Sequence, residues 1–160
     1  MQIIKVGMAD LNVATFPDTL TTLGLGSCVG IALYDSKRKY AGLAHIMLPY
    51  SAQIKNNSNI AKFADTGIVE LLGKMIANGS HKNNIVAKIA GGAQMFEFPG
   101  GSDIMKVGHR NVIATREILG QLKIPIIADD TGENYGRTIE LYTNNGDLLV
   151  KTIGRGQKII

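Results

Sequence analysis

Short apolar stretches broken by turn residues dominate the first third of the chain, and their spacing predicts strands. Residues 2–9 are apolar and partly β-branched, residues 21–25 and 28–34 repeat that character around the Gly24-Leu25-Gly26 break, and residues 40–48 form a further run ended by Pro49. The polar residues 35–38 between the last two runs predict a hairpin. Residues 51–59 are polar and rich in asparagine, the pattern of an exposed loop. Beyond them the period changes from two to three or four. Ile68, Leu71, Leu72, Met75 and Ile76 share one helical face that stops at Asn78-Gly79. A strand at residues 85–90 runs into Gly91-Gly92. A second helix at residues 111–122 places Val112, Ile118, Leu119 and Leu122 on one face and is closed by Lys123 and Pro125. Strands follow at residues 126–128, 138–142 and 148–153, the last pair joined by an Asn145-Gly146 turn. About eight strands with two helices predict a strand-rich α/β sandwich whose helices cover sheet faces, rather than a doubly wound order.

Composition narrows the class. A chain of 160 residues, 45% hydrophobic and 19% charged, is expected to form one domain over residues 1–160 with a sizeable core. The net charge of +4 raises nucleic acid and anionic membranes as partners. Its distribution argues against both: Lys37, Arg38 and Lys39 sit in the predicted turn, and the other basic residues form no stripe and alternate with no aromatics. A single cysteine allows no internal disulfide, Lys5 and Asp10 interrupt the N-terminal apolar run, and no apolar stretch reaches the ~18 residues of a span. The expectation is a cytoplasmic chain with no direct membrane insertion.

The residues from Gly24 to Gly30 miss the G-x-G-x-x-G spacing, lack a Walker lysine and precede a strand, so they do not predict a nucleotide loop. The small residues Gly26 and Ser27 before the lone Cys28 can instead set a thiol at an exposed strand start, with backbone N–H groups facing an oxyanion. Cys28 also reads as a small buried hydrophobe. The hairpin bears on that choice. If its loop is symmetric about residues 35–38, Tyr34 pairs with Lys39 and Cys28 lies directly opposite His45, with Cβ atoms ~4.5–5.5 Å apart. A one-residue slip would send His45 to the other face. A thiolate nucleophile with an imidazole that takes its proton and later delivers one to the leaving amine suits amide hydrolysis. Such an imidazole would also hold the thiol below its free value of roughly 8.5. No Asp or Glu is placed to orient His45. Thr21 and Thr22 are the nearest hydroxyls, and both are also ordinary strand formers. His45, His81 and His109 form no ligand pair, and Asp129-Asp130 before Thr131-Gly132 read as a polar turn, so no metal is expected. A thiol redox sensor would usually carry a resolving cysteine, and the chain has none.

The segments Thr22-Leu23-Gly24-Leu25-Gly26-Ser27-Cys28 and Gly42-Leu43-Ala44-His45-Ile46-Met47-Leu48-Pro49 resemble the two signature segments of CheD, the chemoreceptor glutamine deamidase family. The resemblance continues through Lys62-Phe63-Ala64-Asp65-Thr66, Lys88-Ile89-Ala90-Gly91-Gly92-Ala93, Gly108-His109-Arg110-Asn111 and Asp130-Thr131-Gly132. It implies a catalytic triad of Cys28, His45 and Thr22, hydrolysis of receptor glutamine to glutamate through a thioester, and no cofactor. It further implies an α/β sandwich related to the catalytic domain of cytotoxic necrotizing factor. The implied partners are chemoreceptor cytoplasmic domains as substrate and the phosphatase CheC, for which Met95, Phe96 and Phe98 are candidate contacts. Glu133 stands where the family often repeats glycine, so residues 130–137 receive no role.

Overall fold

The hairpin that follows Cys28 lies at the centre of the protein. In the computed structural model, which describes residues 1–95 and 106–160, β4 (Val29–Asp35) pairs antiparallel with β5 (Tyr40–Ile46). β2 (Asp10–Thr15) flanks β5, while β6 (Ile85–Gly91) and β7 (Ile126–Thr131) continue the sheet beyond β4. A second five-stranded sheet has the order β1 (Ile3–Lys5), β3 (Thr19–Leu25), β8 (Arg137–Tyr142), β9 (Leu148–Thr152), β10 (Gly156–Ile159). Two helices, α1 (Ala64–Ala77) and α2 (Val107–Gln121), complete the α/β sandwich. Neither is long and apolar enough to cross a membrane.

Three layers result: sheet, sheet, helices. Val29, Ile31 and Leu33 point from β4 toward Ile68, Leu71 and Met75 of α1 and Ala114, Ile118 and Leu119 of α2. Ala32 and Tyr34 point the other way, with Ala41 and Leu43, toward Leu20, Ile139, Leu141 and Val150 of the second sheet. All seven residues of β4 are buried because both of its faces are covered, which is why it reads as a continuous apolar run and not as an alternation. Cys28 belongs to the inter-sheet core.

The expected elements are present, with different limits and two additions. β2 and β10 raise the strands among the described residues to ten. β2 mixes Asp10, Asn12 and Thr15 with Leu11 and Val13, which are half-buried and pack against the helix-side core. β10 is exposed at every residue, an edge strand held by its ladder with β9 and carrying no apolar pattern. Ile76 is 46% exposed and does not share the buried face of α1. Gly79, with φ of 105°, closes that helix as expected, and Gly146, with φ of 80°, sits in the turn between β8 and β9.

Candidate active site

The hairpin register differs from the symmetric expectation. Asp35 belongs to the strand and pairs with Tyr40, Tyr34 pairs with Ala41, and Gly30, not Cys28, lies opposite His45. The loop is residues 36–39, closed by Lys39 at φ of 49° and by the buried Asp35, whose Oδ1 accepts from the N–H groups of Lys37 (3.0 Å) and Arg38 (3.3 Å). A carboxylate satisfied by the turn keeps the ladder going one pair further than polarity alone suggests. The displacement is two residues, so parity survives: Cys28 and His45 share the inter-sheet face, offset diagonally instead of directly opposed.

Cys28 stands just before β4. It is buried, 7% exposed, where the sequence suggested an open strand start. Gly91, with φ of 107°, lets β6 approach so closely that a Cβ there would lie 2.3 Å from the Cys28 carbonyl oxygen. That oxygen accepts from the Gly92 N–H at 2.8 Å. Ahead of the cysteine, β3 shifts register between Thr22 and Leu25, where Gly24 takes φ of 71°. The Gly26 N–H donates back to the Gly24 carbonyl at 3.1 Å, so Gly26 shapes the turn and its N–H is not free for an oxyanion. The Ser27 carbonyl accepts from the Asn111 side chain at 2.9 Å.

His45 is fully buried on β5, between β2 and β4, with its carbonyl accepting from the Ala9 N–H at 2.9 Å. Across the sheets, Thr22 Oγ1 lies 2.7 Å from His45 Nδ1 and 2.7 Å from the Val6 carbonyl oxygen. The hydroxyl has one proton, and a carbonyl can only accept. Thr22 therefore donates to Val6 and accepts from His45 Nδ1–H, which fixes the tautomer and leaves the lone pair on Nε2. Nε2 is buried and has no hydrogen-bond partner among the described residues. An unpaired buried acceptor costs about 1–3 kcal/mol. Thr21 has no part in this: its hydroxyl donates to the Ile139 carbonyl at 2.8 Å.

Electrostatics also differ from the expected thiolate–imidazolium pair. Burial pushes the Cys28 thiol up from its ordinary value, against a smaller opposing pull from its own backbone N–H. Burial likewise pushes His45 down. Both shifts favour the uncharged forms, the thiol and the neutral imidazole. Once Nε2 takes a proton, Nδ1–H still donates to Thr22, so the same hydroxyl serves both charge states.

The other candidates lie elsewhere. His81 and His109 are exposed. Asp129 and Asp130 lie within β7, not in a turn: Asp129 pairs with Arg116 at 2.5 Å, and Asp130 with Arg137 at 3.4 Å and Lys158 at 3.6 Å. Among the described residues, no cluster of three or more His, Cys, Asp or Glu side chains could hold a metal. Met95 is 44% exposed and packs toward Gly26, where a Cβ would meet its Cγ at 3.3 Å; Phe96 and Phe98 lie outside the described residues. Sequence reasoning missed the Val6 carbonyl, a backbone group that side-chain identity cannot announce, and gave Asn111 no individual task.

Comparison with known proteins bears on the family. A family model described as CheD chemotactic sensory transduction matches residues 47–152, which begins just beyond His45. Relatives extend the match across the cysteine and histidine segments. The probable chemoreceptor glutamine deamidase CheD of Lachnoclostridium phytofermentans is 58% identical over 159 residues, covering 99% of both chains. That of Caldanaerobacter subterraneus subsp. tengcongensis is 60% identical over 159 residues, 99% of this chain and 98% of the relative. The chemoreceptor glutamine deamidase CheD of Halalkalibacterium halodurans is 51% identical over 159 residues, with the same two shares. A match of this extent over essentially the whole length leaves one assignment: the chain belongs to the CheD family.

Proposed function

We propose that this protein is a cysteine-dependent glutamine deamidase acting on the cytoplasmic domains of chemoreceptors, with residues 1–160 working as one domain in the cytoplasm. The observation that carries the reading is the Thr22–His45 contact, which holds Nδ1 as a donor and leaves Nε2 free on the face that Cys28 shares. His45 Nε2 takes the Cys28 proton as the sulfur attacks the glutamine carboxamide carbon. The C–S bond forms, the carbonyl π pair moves to oxygen, and collapse expels ammonia protonated by the imidazolium. Water, deprotonated by His45, then adds to the thioester carbonyl; the C–S bond breaks, the Cys28 sulfur takes the proton back from His45, and glutamate is left. Thr22 keeps the ring in place through both half-reactions. The names of the relatives supply the substrate class, and the buried neutral pair supplies the chemistry. Docking of CheC is part of the same proposal and is supported by the family resemblance alone.

The test is incubation with the cytoplasmic fragment of a cognate receptor, followed by peptide mass spectrometry. Specific glutamines should convert to glutamate. A receptor whose glutamines all remain amidated would count against the reading.

A further inference from the structure

One side chain outside the Cys28, His45 and Thr22 set touches the backbone on both sides of it. Asn111 projects from α2 and is fully buried. Its Nδ2 donates to the Ser27 carbonyl at 2.9 Å and to the Met47 carbonyl at 2.9 Å. The first carbonyl immediately precedes the cysteine, and the second lies two residues past the histidine. Both acceptors are carbonyls, so the amide orientation is fixed by chemistry: only the NH2 end can face them. Its Oδ1 is buried without a partner among the described residues, so the contacts the amide makes there are those of its nitrogen.

A planar trans peptide sends its C=O and its N–H to opposite sides. Asn111 holds the Ser27 carbonyl, so the Cys28 N–H of the same peptide is directed away from the Asn111 amide. Among the described residues that N–H meets no backbone carbonyl and lies against its own residue's thiol, whereas the Cys28 carbonyl is occupied by Gly92. A fixed N–H on the nucleophile's own residue, beside the reacting sulfur, is where a tetrahedral oxyanion needs a donor.

We propose that Asn111 is a positioning residue that locks the Ser27–Cys28 peptide so that the Cys28 N–H serves as an oxyanion donor, while its second bond ties the end of β5 to the same point. The inference rests on the reading of Cys28 as the nucleophile and does not depend on which protein supplies the glutamine.

Two reagents separate this role from general support. Iodoacetamide alkylates the thiol by displacement at an sp3 carbon, with iodide leaving and no oxyanion formed. p-Nitrophenyl acetate acylates it through a tetrahedral adduct. The sulfur bonds to the carbonyl carbon, the π pair moves to oxygen, collapse breaks the ester C–O bond to release p-nitrophenolate, and the thiol proton passes to His45 and then to water. In full-length Asn111→Ala and the near-isosteric Asn111→Asp, the Cys28 acylation rate should fall about a hundredfold, the scale of losing one oxyanion donor. Alkylation should stay within about threefold, because His45 keeps its Thr22 contact. Equal losses in both reactions, or none in either, would overturn the proposal, as would a wild-type Cys28 that alkylates but does not acylate. If both variants fail to fold, the unsubstituted protein still decides. Through-hydrogen-bond NMR couplings from the Asn111 side-chain nitrogen to the Ser27 and Met47 carbonyl carbons are expected, and their absence would refute the staple. Neither assay uses a receptor, so failure of the receptor reading would leave these results standing.

Discussion

In the proposed site a threonine hydroxyl does the orienting that a carboxylate often does, and the difference is one of charge. Thr22 gives His45 a single neutral hydrogen bond, worth about 0.5–1.5 kcal/mol, and adds no negative potential to draw a proton onto the ring. Thr22→Ala should therefore slow single-turnover deamidation by about tenfold, far less than loss of Cys28, with the wild-type rate as the contrary result. Thr21→Ala is the matched control, since its hydroxyl meets the Ile139 carbonyl and not the ring. The same neutrality governs the pH dependence of the thiol. With Cys28 pushed up by burial, the thiolate fraction becomes appreciable only as pH rises past the ordinary thiol range. The alkylation rate should climb with a midpoint above that of a free cysteine. A midpoint well below it would mean that an imidazolium–thiolate pair prevails.

Among the elements, the β4–β5 hairpin shows what was legible and what was not. Its two strands, their polar turn and the shared face of Cys28 and His45 follow from alternation and residue type. Register does not, because it depends on whether Asp35 belongs to the turn or the ladder, and its carboxylate caps the Lys37 and Arg38 N–H groups from within the strand. β10 was invisible for a related reason: an edge strand exposed at every residue has no hydrophobic code. The choice of Thr22 over Thr21 came from family resemblance, and the contact with Val6 gives it a physical reason. Gly30, opposite His45, is a consequence of the true register. A Cβ there would lie 2.6 Å from Ile139 Cδ1 and 3.1 Å from Leu25 Cδ1. Gly30→Ala should cost about 1–3 kcal/mol in urea unfolding, and Ile139→Val in the same chain should recover part of it. An unchanged midpoint for the single variant would show that the sheets yield more easily than the packing indicates.

Across the whole molecule, the two sheets are joined by apolar packing and, near the cysteine loop, by a buried charge. Arg137 on β8 is fully buried, donates to the Gly132 carbonyl at 2.9 Å and pairs with Asp130 of β7 at 3.4 Å. Its ladder partner on β3 is Leu25, three residues before Cys28. Removing the guanidinium leaves Asp130 with only the weaker Lys158 pair, so Arg137→Ala should destabilise by about 3 kcal/mol while keeping a single unfolding transition. Two transitions would contradict the proposal that residues 1–160 are one domain. What the layers accomplish together is to put Cys28, at the start of the central strand β4, on the face shared by His45 of β5, with Thr22 reaching the ring from the facing sheet. The most direct test of that claim is to mix the protein with a receptor cytoplasmic fragment, quench with acid within one turnover, and map covalent adducts by mass spectrometry. The account predicts a receptor glutamyl thioester on Cys28 alone, and neither adduct nor glutamate in Cys28→Ala. Conversion of glutamine to glutamate by Cys28→Ala at the wild-type rate would contradict it.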